Sequence, residues 1–172
     1  MIYTLTMELP PTLNEIIDAA RESWQKSAAM KKQWTNKITA FVAECDIKLL
    51  GQVWLEFHWY LTNFGRDADN VAAASKFIMD GIASSKTIRN DNLTVIQSPV
   101  IHYYHRSSKD NGVILRISES PDFLLENILN VNNYSYFALR ECQQKISKFI
   151  YNENDYYGGD IPGGKLLLFV TK

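Results

Sequence analysis

The chain has 172 residues, with 18 Lys and Arg against 19 Asp and Glu for a formal net charge of −1. A hydrophobic fraction of 46% with 22% charged residues suits a globular fold with a sizeable core and excludes a disordered, collagen-like or disulfide-framed chain. Cys45 and Cys142 stand far apart without metal-ligand spacing, no apolar run approaches a membrane span, and Met1 to Pro10 lacks a basic-then-apolar leader, so a cytoplasmic protein with idle thiols and no membrane partner is expected.

Ile2 to Leu9 reads as a strand halted by Pro10-Pro11, because proline lacks a ladder N–H and holds the residue before it extended. Leu13 to Cys45 reads as mostly helical, with the polar stretch Glu22 to Lys26 as a loop that closes over substrate. Val53, Leu55, Phe57, Trp59 and Leu61 then alternate with Trp54, Glu56, His58 and Tyr60, the period of a strand with one apolar face. Val71, Ala74, Ile78 and Ile82 return at helical spacing and predict a helix packed on the sheet, ended by Ser84-Ser85. Thr94 to Ile101 and Val113 to Ile117 predict a hairpin across a turn at 107–112.

Beyond Glu119 the pattern changes. Ser120-Pro121 opens a helix that continues over Phe123 to Leu129, a second helix is predicted over Ser135 to Ile150, and a glycine-rich stretch precedes an apolar strand, Leu166 to Val170. The expected fold class is α/β (α+β): a single domain with a mixed sheet flanked by helices over 1–118, and a helical C-terminal extension over 119–172. The plain role for that extension is to lengthen the sheet and cover an edge. A dimer contact or a gate over a ligand surface are the alternatives.

The chemistry concentrates between Arg66 and Asn92. Arg66-Asp67-Ala68-Asp69-Asn70 leads into Lys76-Phe77-Ile78-Met79-Asp80-Gly81 and then Asn90-Asp91-Asn92. In extended backbone Asp67 and Asp69 point their carboxylates the same way, and such a pair with a third acid suits Mg²⁺ or Mn²⁺, hard cations that bind phosphate oxygens. The plain alternative is that Asp69 caps the following helix. Lys76 lies seven residues beyond Asp69, about two turns on, and so returns to the same helix face; alternatively it forms a surface pair with Asp80 at i,i+4.

Charge distribution adds a basic contribution. Met1 to Ser118 holds 13 Lys and Arg against 12 Asp and Glu, and Glu119 to Lys172 holds 5 against 7. Lys26, Lys31, Lys32 and Lys37 fall in one helical segment, while Arg66, Lys86 and Arg89 lie in loops beside the acids. These groups are candidate phosphate contacts, with a solvated helix face as the alternative for the lysine run. His58, His102 and His105 read as structural or solvent-facing histidines, and no glycine-rich phosphate loop or Ser-His-Asp pattern is present.

The ordered motifs, together with Pro10-Pro11-Thr12-Leu13-Asn14, resemble the RusA family of Holliday junction resolvases over roughly the first two-thirds of the chain. The resemblance implies that Asp67, Asp69 and Asp91 bind Mg²⁺ or Mn²⁺ and that Lys76 assists catalysis. It also implies a homodimer acting on four-way DNA. With DNA as the substrate, the charge pattern makes Arg66 the expected first phosphate clamp and Lys31, Lys32, Lys86 and Arg89 the expected further DNA contacts, and Asn70 is placed to support the metal ligands. Two departures stand out: Thr62-Asn63-Phe64-Gly65 leaves Arg66 alone where family members often carry several arginines, and the chain continues past the family's usual end. A branched-DNA binding protein that does not cut, and a flap or fork nuclease of the same fold, are the alternative expectations.

Overall fold

Strand β1 (Ile2–Glu8) ends just ahead of Pro10-Pro11, as the loss of a ladder donor requires. The computed structural model describes residues 1–121 in full and the strands Gly158–Ile161 and Gly164–Thr171 by their backbone. Helix α1 (Leu13–Glu22) starts where Glu15 reaches back to accept from the Thr12 N–H at 2.8 Å and the Thr12 hydroxyl at 2.7 Å. Ser23, in extended backbone, closes α1 and opens α2 (Trp24–Glu44), where its hydroxyl accepts from the Lys26 N–H at 3.1 Å. The expected loop at Glu22 to Lys26 is therefore a one-residue break between two helices.

Strand β2 (Trp54–Leu61) leads to α3 (Ala68–Ala72) and α4 (Ser75–Ser84), followed by β3 (Ile101–Arg106) and β4 (Gly112–Ser118). Between α3 and α4 the N–H groups of Ala74, Lys76 and Phe77 each bond three residues back, so the single predicted helix tightens for a turn and restarts. With β5 (Gly158–Ile161) and β6 (Gly164–Thr171) the strands form one sheet in the order β3-β2-β4-β1-β6-β5. Only β2 and β3 run parallel, so the sheet is mixed and the fold is an α+β domain, as expected.

The predicted hairpin is not formed. Strand β3 begins only at Ile101, and β2 lies between β3 and β4, pairing with both. Residues 107–111 do reverse the chain, but they carry it across the end of β2: the Ser107 N–H donates to Leu61 O at 2.9 Å, and Asn111 Oδ1 accepts from the Thr62 N–H at 2.8 Å. Turn-forming residues specify a change of direction, not which strand will be the neighbour. At the other side β6 pairs antiparallel with β1, placing Leu168 opposite Leu5, so the sheet-extension reading of the last strand holds. The expected helices at 123–129 and 135–150, and Cys142, lie outside the described residues.

Helices α2 and α4 pack on one sheet face, where Leu5, Leu55, Phe57, Trp59, Leu115 and Ile117 meet Ile38, Phe41, Val42, Phe77, Ile78 and Ile82. Gly81 permits the close crossing of α2 and α4, since a Cβ there would stand 2.5 Å from Ile38 Cγ2. Cys45 is buried in the same core, and burial, with the charge of Glu44 adding, pushes its thiol up to about 11.

The second sheet face differs from the expectation of a strand buried on one side only. Glu56, His58 and Tyr60 of β2 are also buried. The register sets Glu56 opposite Arg116, whose Nη1 donates to Glu56 Oε1 at 2.9 Å, while His58 bridges Glu56 at 2.5 Å and His105 at 3.1 Å. These partners come from three strands, which is why the period of β2 alone did not announce them. His102 points the other way and accepts from Trp59 Nε1 at 2.9 Å, so His102 and His105 occupy opposite faces.

Candidate functional site

The anchored exit of β2 delivers the chain to α3. Asp67 takes the cap position in extended backbone (φ −69°, ψ 143°), and its side chain makes no capping hydrogen bond. The helix begins at Ala68, so Asp69 already sits in the first turn, its Oδ1 accepting from the Asn70 N–H at 2.9 Å. Only one of the two acids is extended, and the alternation that would aim both carboxylates to one side does not apply. The alternative reading of Asp69 as the cap fails as well, by two residues.

Asn70 is buried and accepts from the Asn14 N–H at 2.8 Å, joining the first turn of α1 to the Asp-x-Asp-Asn segment. On the other side the Tyr104 hydroxyl donates to Ala68 O at 2.9 Å. Burial raises the Tyr104 phenol, and the charge of Asp69 adds to that effect. The start of α3 is thus held by α1 and by β3, with Asp67 and Asp69 both exposed.

Lys76, in the first turn of α4, turns to a different pair of acids. Its Nζ lies 2.5 Å from Asp80 Oδ1 and 3.6 Å from Asp91 Oδ2, and Lys31 Nζ of α2 approaches Asp80 Oδ2 at 3.4 Å. The Asp80 hydrogen bond chiefly holds the Lys76 ammonium above the usual lysine range, opposed by partial desolvation and helped by Asp91. Burial opposes the charge on Asp80, yet the hydrogen bond and charge of Lys76, with Lys31 and Asp91 adding to them, hold its carboxyl below the usual range. Asp80 is the most buried of the four and acts as the hub: its side chain is 13% exposed, against 55% for Lys76 and 59% for Lys31. The Lys76 ammonium therefore stays charged at neutral pH, and both lysines keep a solvent-facing side.

Of two expected relations, one formed as expected and the other only in part. The i,i+4 pair of Lys76 with Asp80 forms, and so does an approach of Lys76 to an acid of the motif set, but to Asp91 rather than Asp69. Asp80, noted in the sequence only as a surface partner, proves to be the group that seats Lys31 and Lys76 together; its position four residues after Lys76 is the one signal that pointed to it.

The remaining basic candidates are spread around this centre. Arg66 is half-buried beside Asp67 and lines a groove of about 720 Å³ together with Trp34 and Asn111, whereas Lys32, Lys86 and Arg89 are exposed. Among the described residues none of these four is held in an ion pair. Lys86 adopts a left-handed backbone (φ 63°) as α4 ends, which fixes where its side chain leaves the chain.

Carboxylates are the right donors for Mg²⁺ or Mn²⁺. Among the described residues, however, no three His, Cys, Asp or Glu side chains are grouped so as to hold a metal ion, so Asp67, Asp69 and Asp91 do not form a ready three-carboxylate cage. No helix of the described residues is long and apolar enough to cross a membrane. Comparison with protein-family models and with curated proteins gave no match for this chain.

Proposed function

We propose that this protein is a structure-selective endodeoxyribonuclease of the RusA kind, which resolves four-way DNA by paired phosphodiester cuts in recombination and repair. The observation that carries the proposal is the approach of Lys76 Nζ to Asp91 Oδ2 at 3.6 Å. It joins two of the ordered motifs across fifteen residues of sequence, and the Asn70 to Asn14 hydrogen bond joins two more. In this reading Lys76, held charged by Asp80, meets the phosphate charge that grows as the bond breaks. Lys31 supports the same phosphate, and Arg66, Lys32, Lys86 and Arg89 hold the neighbouring backbone. Asp67, Asp69 and Asp91, with Asn70 behind them, are proposed as the Mg²⁺ or Mn²⁺ ligands on donor chemistry alone. The approximate two-fold symmetry of a junction calls for two sites, hence a homodimer, and a cytoplasmic location is part of the same proposal.

A branched-DNA binding role without cutting is the second reading, favoured by the ungathered carboxylates. Cleavage of labelled four-way junction, flap and linear duplex, each with Mg²⁺ and with chelator, separates the readings. A resolvase cuts the junction fastest and only with the ion; preference for the flap gives a different nuclease, and binding without any cut gives the second reading.

A further inference from the structure

A groove of about 430 Å³ runs between α1, α2 and the first turn of α4. Its walls are apolar, built from Ile16, Met30 and Phe77, and its rim carries Trp24 and the two ammonium groups of Lys31 and Lys76. Trp24 is the first residue of α2, fixed to a helix by the Ser23 cap, and it is 74% exposed. A single exposed aromatic needs no explanation. An exposed indole, apolar walls and two cations around one small groove make a set that fits a flat ring with an anion attached.

We propose that this groove seats an unpaired nucleobase of branched DNA, with Trp24 stacked on the base and Lys31 and Lys76 meeting the adjoining phosphates. The inference rests on the nucleic-acid reading of the same site, since Lys76 belongs to both. Charge favours this occupant: from Trp24 to Ala43 helix α2 carries four lysines and no carboxylate. Although Lys26, Lys31 and Lys37 pair with Glu22, Asp80 and Glu8, Lys31 and Lys76 at the groove share the one carboxylate of Asp80 and stay more than half exposed. Size favours it too, because an amphipathic helix needs a row of pockets one turn apart, whereas this groove has room for one ring system and its sugar. Every base has a π-face, so stacking on Trp24 selects an unstacked base without selecting its sequence. That gives the site a reason to prefer a branch point over a continuous duplex.

The test uses a four-way junction carrying one 2-aminopurine at the branch point, bound to the full chain in chelator so that nothing is cut. Wild-type protein should change the 2-aminopurine emission, and the same base within linear duplex should not respond. Trp24→Ala should abolish the change and weaken junction binding about tenfold or more, the scale of one lost base stack, with an unaltered circular dichroism spectrum. Trp24→Phe should keep most of both. The inference is overturned if Trp24→Ala binds and perturbs the probe like wild type, if wild type leaves the probe unchanged, or if the substitution alters only the mass in light scattering, as it would were a second copy seated in the groove. Cutting by wild type in Mg²⁺ is measured separately. Stacking without cutting would sink the nuclease reading and leave this one standing; cutting with a silent probe would do the reverse.

Discussion

Lys76 is the residue on which the functional account turns, because its two recorded partners support different roles. Asp80 alone would make it an ordinary helix-surface pair, and with its side chain more than half exposed such a pair contributes under about 1 kcal/mol. The approach to Asp91 is what sets it in the candidate centre. Lys76→Ala should slow single-turnover junction cutting by about 10²-fold or more while binding changes little. Asp80→Ala should slow it as well, since Lys76 then loses its anchor; equal, near-normal rates for both variants would return Lys76 to the surface. The pH dependence has a definite sign. The raised pKa of Lys76 gives a contribution that persists below the ordinary lysine range and is lost only as pH climbs through the higher folded value. The lowered pKa of Asp80 gives one present above the ordinary carboxylate range and lost only as pH falls through the lower folded value. Between pH 6 and 9 the pair should therefore impose no slope on the cutting rate. At this scale the sequence exposed what is local: Asp80 is one turn from Lys76, whereas Asn14 and Asn70 are 56 residues apart and only the fold joins them.

Elements were legible where one periodicity governs them and obscure where a partner decides. β1 followed from its proline stop, and Val71, Ala74, Ile78 and Ile82 are all fully buried, as their spacing predicted. The restart between α3 and α4 and the insertion of β2 between β3 and β4 depend on distant contacts that no window of sequence contains. Gly81 offers a test of the helix crossing. Gly81→Ala should destabilise by about 1 to 3 kcal/mol through overpacking against Ile38, despite alanine's better helix propensity; an unchanged denaturation midpoint would mean that α2 and α4 cross more loosely. The polar face of β2 gives a second test. Burial, with His58 adding, lowers His105 from 6.5 to about 4, so the unfolded chain binds the proton first. The neutral ring's contribution is complete above pH 6.5 and declines as pH falls toward 4. His105→Phe should flatten that decline in denaturation midpoints taken at pH 4.5 and 7.5, with Glu56, His58, Tyr103 and Arg116 left in place.

At the scale of the whole molecule, β6 closes the free edge of β1 and β5 becomes the new border, so the far end of the chain completes the sheet that carries the site. The fold class was readable from alternating strand and helix periods, and the order of the motifs pointed to Lys76 and Asp91, which approach to 3.6 Å, but not to Asp80 between Lys31 and Lys76. The sheet order was not readable, because pairing between strands 40 or more residues apart leaves no local trace. A resolvase must also present two such sites. Light scattering should give the mass of two 19.8 kDa chains at micromolar concentration, and a chain that stays single even on DNA would remove the basis for paired cuts. The most direct measurement is single-turnover cutting of a labelled four-way junction in Mg²⁺ by wild type and by Asp67→Asn, Asp69→Asn and Asp91→Asn. The account predicts symmetric cuts by wild type, none in chelator, and nearly complete loss in each variant with junction binding retained or tightened, because carboxylates without metal repel phosphate. Near-normal Mg²⁺-dependent cutting by all three variants, or a wild-type protein that binds the junction and leaves it whole, would contradict it.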